Sequence, residues 1–175
     1  MSNSPLVQYT KISHHKTTGR NHMIDAITIH HMAGDLSIET CGNVFQSREA
    51  SSNYGLDSKG RIGMYVEEKD RSWCSSSSSN DDRAITIEVA DSNKKWEISS
   101  QAMASLINLV VDICNRNNIS KLVWSELKAD RINHKNGCNM TVHRDFVSTT
   151  CPGDYLYSKM PYIASEVNKQ LIPFS

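Results

Sequence analysis

The run Ile24-Asp-Ala-Ile-Thr-Ile-His-His31 constrains the fold of this 175-residue chain more than any other stretch. Ile27, Ile29 and the apolar start mark a buried β-run, and the run ends in two imidazoles. Side chains alternate across a strand, so His30 and His31 fall on opposite faces and only one of them can serve a shared site.

Companions for that histidine lie far downstream, in Thr141-Val-His-Arg-Asp-Phe-Val-Ser-Thr-Thr-Cys-Pro-Gly-Asp154. This segment sets His143 and Cys151 eight residues apart, with a Pro-Gly turn directly behind the thiol. Two imidazoles and a thiol without an obvious fourth partner describe a catalytic zinc. Structural zinc usually fills all four positions, whereas hydrolytic zinc keeps one for water.

The rest of the chain supplies a scaffold. Asp35 or Ser37 can cap a helix over 37–49, with Ile38, Cys41 and Phe45 on one stripe. Residues 52–57 and 61–66 read as strands joined by Ser-Lys-Gly, a hairpin signal. The serines at 75–79 read as a flexible loop, with a substrate-contacting rim as the functional alternative. Residues 83–89 read as a further strand, in which Thr86 and Glu88 face away from Ile85 and Ile87. Met103, Leu106, Ile107, Val110 and Ile113 follow helical spacing over 100–117. Residues 125–140 are polar and predict a long loop. Asp154 can cap a last helix, with Leu156, Met160, Ile163, Val167 and Leu171 inward and a bend or restart at Pro161. Strands interleaved with helices predict an α/β fold, a mixed central β-sheet flanked by helices in a single domain. Residues 1–22 form an N-terminal arm and 23–175 the domain proper.

Charge and cysteine usage narrow the function classes. Nineteen basic and nineteen acidic residues cancel. That balance argues against phosphate-neutralising nucleic-acid binding and against strong attraction to anionic membranes. No apolar run is long enough to span a bilayer, and the first residues lack a signal-peptide layout. The expectation is a protein made and kept in the cytosol unless another factor releases it. Five scattered cysteines do not suit a disulfide framework. They read as reduced thiols, with Cys114 in the core.

Ile-Thr-Ile-His-His at 27–31, Ile-Thr-Ile-Glu-Val at 85–89 and Thr-Val-His-Arg-Asp-Phe…Cys-Pro-Gly at 141–153 stand in the order of one family. The chain resembles the type 2 N-acetylmuramoyl-L-alanine amidases, whose fold is shared with peptidoglycan recognition proteins. Within them it is most similar to the catalytic domains of phage or prophage endolysins of Gram-positive hosts. The resemblance spans roughly residues 22–172. It implies a zinc amidase acting on bacterial peptidoglycan, with Zn2+ on His30, His143 and Cys151 and with Glu88 as the catalytic carboxylate. The expected protein is a monomer that, on its charge and hydropathy, binds no nucleic acid and inserts into no membrane. Many relatives carry a lysine two residues before the cysteine; here that position is Thr149, whose hydroxyl is a weaker oxyanion donor than an ammonium. Some carry a tyrosine after the first helix, where this chain has Ser52 or Asn53 with Tyr54 close by. Asn53, Tyr54 and Trp73 are the candidate substrate-binding residues. His31 is expected to pack or to orient a ligand, and Arg144 and Asp145 to pair with or orient neighbours.

Two alternatives stay open. His134, Cys138, His143 and Cys151 have spacings not far from a closed structural zinc module. A peptidoglycan-recognition module that binds without cleaving would keep the fold and lose the reaction.

Overall fold

The computed structural model describes residues 2–92 and 94–172. Its elements run in the order β1 (Tyr9–Thr10), β2 (Lys16–Thr17), β3 (Ala26–His31), α1 (Ile38–Ser47), β4 (Tyr54–Leu56), β5 (Ile62–Met64), β6 (Arg71–Ser72), α2 (Ser78–Arg83), β7 (Ala84–Val89), α3 (Ser100–Arg116), α4 (Lys128–Ile132), β8 (Met140–Val142), α5 (Asp154–Ser158) and α6 (Met160–Asn168). Six strands form one mixed sheet, ordered β1-β5-β4-β7-β3-β8, and β2 and β6 form a separate antiparallel pair. Only β4 and β5 run antiparallel within the large sheet; its other pairs are parallel. No helix among the described residues is long and apolar enough to cross a membrane.

Strand β3 is buried along its whole length, between β7 and β8. The two-residue period divides its side chains. Ile27 and Ile29, with Ile85 and Ile87 of β7 and Val142 of β8, join the core that also contains Leu106, Val110 and Ile113 of α3 and Ile163 and Val167 of α6. Fully burying each such side chain contributes about 1.5–3 kcal/mol. The alternate positions are polar but satisfied: the Thr28 and Thr141 hydroxyls lie 2.8 Å apart, and Asn80 of α2 donates to Thr28 at 2.9 Å. His30 and Glu88 continue this polar face, and they stand directly opposite each other in the β3–β7 register.

Helix α3 follows its predicted stripe, with Ser99 as N-cap accepting from the Ala102 amide. Ser37, not Asp35, caps α1. The final helical region restarts at Met160, with Pro161 in the first turn, where its missing N–H costs nothing. Gly153 occupies the N-cap of α5, so Asp154 is the first helical residue rather than the cap.

Two expectations need correction. The serine run is not a flexible loop: Ser75 is buried, and Ser77 caps α2 by accepting from the Asn80 amide. Residues 125–140 are not a bare loop, because they hold α4 and a 3-10 turn over Lys135–Gly137. Within residues 1–22, β1 pairs with β5, and the Ser4 amide donates to Tyr54 Oη at 2.9 Å. Short polar stretches carry little periodicity, and long-range partners give these three segments their order.

Candidate metal centre

His30 is the next-to-last residue of β3, and β8 runs parallel beside that strand with Ile29 opposite Val142. His143 therefore emerges one residue past β8 at the level of His30. The two rings have centroids 4.9 Å apart. Cys151 Sγ lies 3.5 Å from His30 Nδ1. One donor atom from each of His30, His143 and Cys151 lies within 4.8 Å of the other two.

The supports of this cluster follow from local structure. His143 opens a 3-10 turn over His143–Asp145. Asp145 accepts from the Val142 amide at 3.0 Å and binds the Arg131 guanidinium, with its shortest contact at 2.6 Å. Arg131 in turn lies 4.3 Å over the Trp124 ring. Arg144 donates to the carbonyls of Thr150 and Cys151 at 2.5 and 3.3 Å, fixing the loop that carries the thiol. Arg144 and Asp145 thus each orient a neighbour and do not pair with one another. His31 Nδ1 bonds a carboxylate oxygen of Asp91, whose other oxygen accepts from the Gly34 amide at 2.7 Å. Gly153 turns at φ +80°, where a side chain would be strained, and a Cβ there would come 3.1 Å from His31 Nδ1.

The donor set suits zinc. Burial, with the neighbouring His143 and His31 adding to it, holds the His30 pKa well below the usual imidazole range. Burial lowers His143 too, with Arg48 and His31 adding. Both rings are therefore neutral, the form that ligates. Burial first, and Glu88 second, push the Cys151 thiol up. His30 Nε2 is buried without a hydrogen-bond partner among the described residues. Two neutral imidazoles and a thiol make a borderline-soft donor set that matches zinc, and an orphaned nitrogen on the shared His30 ring is a further donor in a place where buried polar groups are normally paired.

A cavity of about 570 Å³ opens in front of the cluster, lined among others by His143, Cys151, Glu88, Thr149, Ser76 and Trp73. That size suits a small-molecule or peptide segment. Burial pushes the Glu88 carboxyl up to about 8, with Arg48 opposing and Asp91 adding. Its Oε2 is likewise buried and unpartnered among the described residues. Thr149 Oγ1 accepts from the Cys151 amide at 3.3 Å. Trp73 stands at the rim, 39% exposed, with its indole N–H on Thr17 Oγ1 at 3.0 Å.

Asn53 and Tyr54 do not reach this cavity. Both are fully buried: Asn53 binds the Val66 and Glu67 carbonyls and Thr86, and Tyr54 donates to Glu68. Their expected substrate contact is corrected accordingly. The closed module fails as well. His134 Nδ1 faces the Cys138 carbonyl and Cys138 Sγ the Met140 carbonyl, and neither residue joins a metal-ligand grouping among those described. All five cysteines are free.

Sequence reasoning missed Cys74, Asp91 and Arg48, and reached Ser76 only through the alternative that made the serine run a substrate-contacting rim. Ser76, at φ +64°, sets its hydroxyl 3.3 Å from His143 Nε2. Asp91 follows β7 two residues after Val89, so its place beside His31 was hinted at by strand pairing alone. Nothing local in the sequence marks Cys74 or Arg48.

Comparison with solved structures places the same architecture elsewhere. The structure of PlyL superposes with a TM-score of 0.68 at 15% identity, covering 94% of this chain and 98% of that one. The N-acetylmuramoyl-L-alanine amidase LysC from Clostridium intestinale URNW superposes at 0.65 with 20% identity, covering 93% and 95%. The catalytic domain of XlyA superposes at 0.67 with 14% identity, covering 91% and 97%. Identities this low establish the fold alone. No curated protein matches the sequence. The family described as N-acetylmuramoyl-L-alanine amidase matches residues 19–154. With that match over most of its length, the chain belongs to the N-acetylmuramoyl-L-alanine amidase family.

Proposed function

We propose that this protein is a zinc-dependent amidase that hydrolyses the bond between the lactyl group of N-acetylmuramic acid and L-alanine of the peptidoglycan stem. We assign it to the endolysins of phages or prophages of Gram-positive hosts, acting as a monomer on the wall after release from the cytoplasm. The observation that carries this reading is the convergence of His30, His143 and Cys151 within 4.8 Å beside a cavity that Glu88 also lines.

In this reading His30, His143 and Cys151 hold the metal. A zinc ion held there supplies Lewis acidity toward an amide carbonyl and acidifies water. Glu88 takes the proton of the attacking water and delivers it to the leaving amine. A cation at the neighbouring triad favours the carboxylate form that this first transfer needs. Thr149 keeps its hydroxyl proton for the developing oxyanion, since its oxygen accepts from the Cys151 amide. Trp73 offers an aromatic face to a sugar ring or peptide at the rim. His31, held by Asp91, and Arg144, holding the thiol loop, keep the triad in place.

Zinc-loaded protein is expected to release new L-alanine amino termini from Gram-positive walls. Glu88→Gln should keep its zinc and fold yet cleave at least about 10²-fold more slowly. Zinc content should fall in His30→Ala and Cys151→Ala and persist in Cys138→Ala. Failure to release alanine amino termini from any Gram-positive wall ends the proposal, and a fully active Glu88→Gln removes the carboxylate from it.

A further inference from the structure

Cys74 has no part in the reaction just described, yet it stands in the cavity wall beside the proposed base. Its Sγ lies 4.0 Å from Glu88 Oε1. Its backbone is pinned, because its amide donates to Asp81 Oδ2 at 2.9 Å and the next amide, of Ser75, bonds the same carboxylate. His30, Cys74 and Glu88 each offer a donor atom within 4.8 Å of the other two. This second triad shares only His30 with the first. Two of its atoms, or their ring and carboxylate partners, are also the chain's orphans: His30 Nε2 and Glu88 Oε2 are buried and unpartnered among the described residues.

We infer that Cys74 and Glu88, with the His30 ring alongside, form a second cation position that takes zinc or a softer divalent ion such as cadmium. One thiolate, one carboxylate oxygen and one imidazole nitrogen are a borderline-soft set, matched to these ions and ill matched to magnesium or calcium. An imidazole has two nitrogens, and His30 Nδ1 is the one facing Cys151. Binding at the second position sends two protons to solvent, the Cys74 thiol proton and the N–H proton of the His30 ring whose other nitrogen serves the first ion, and forms the sulfur–metal and nitrogen–metal bonds in their place. It also ties up the Glu88 carboxylate. An excess of metal therefore silences the protein while the first position stays filled. That regulatory consequence rests on the role proposed for Glu88; the binding does not.

The test uses cadmium, whose bond to thiolate absorbs in the ultraviolet, together with equilibrium dialysis on the full chain. Wild type should bind two equivalents, Cys74→Ser one, Cys151→Ser one, and the double variant none. The thiolate–cadmium band should fall in step. Cys41, Cys114 and Cys138 remain in every variant, so loss of the band in the double variant assigns it to Cys74 and Cys151. A folded Cys151→Ser that binds no cadmium, or a wild type that binds no more than Cys74→Ser, overturns the inference. If Cys151→Ser does not fold, the comparison of wild type with Cys74→Ser decides alone. A wall-cleavage assay reads the consequence separately. The ratio of rates at excess zinc to one equivalent should drop about a hundredfold in wild type, the scale of a lost general base, and stay near one in Cys74→Ser. Absence of cleavage under all conditions with the cadmium results intact would count against the amidase reading and leave the second position standing.

Discussion

At the scale of single residues, Glu88 combines two environments that oppose each other. Burial favours its neutral acid, raising its pKa from 4.5 to about 8, while a cation at the proposed site would favour the anion. In zinc-free protein the folded state holds the Glu88 proton more tightly than the unfolded chain does. The stabilisation is therefore complete below pH 4.5 and is lost as pH rises through about 8. Thermal melts of chelated wild type and Glu88→Gln should show the wild type losing ground steadily over that window. A gap that stays constant with pH would mean that Glu88 is solvated. The triad itself was legible because a buried strand ending in histidine and a His-x₇-Cys-Pro-Gly segment are each unusual enough to notice. Asn53 and Tyr54 misled for a local reason. Both residue types suit ligand contact, but only the tertiary structure reveals that Glu68 and the Val66 carbonyl already occupy them.

At the scale of elements, the site hangs on pieces with weak local signatures. Helix α2 has only six residues, and its start depends on the Ser77 cap. Ser77→Ala should cost about 1 kcal/mol in urea denaturation. Helix α4 is clamped to the His143 turn through Arg131 and Asp145, whose side chains are 2% and 0% exposed. Arg131→Ala would leave the Asp145 carboxylate buried without its partner and should cost about 3–5 kcal/mol; a shift under 1 kcal/mol would show that water replaces the guanidinium. Long helix α3 was readable because seventeen residues give periodicity room to speak. Strand β8, three residues long, and α4, five, were not readable, because what orders them is a parallel neighbour and a buried ion pair. The α/β class survived these omissions, since alternation in β3 and β7 and the stripe on α3 already demanded a sheet with a helix against it.

At the scale of the whole molecule, the proposed metal ties the central strand to two segments near the far end of the chain. Removing it should loosen the fold as well as stop the chemistry. At zinc a thousandfold above its dissociation constant the linkage amounts to about 4 kcal/mol. Calorimetry with and without a chelator should resolve that as a lower melting temperature, and His30→Ala should melt at the same temperature either way.

His30 and Cys151 are 121 residues apart along the chain. The sulfur can meet the ring only once all the intervening residues have been made, and contacts of such separation are slow to form in folding. Any fragment that stops short of Cys151 therefore lacks the sulfur of the proposed triad, however well its first strands form.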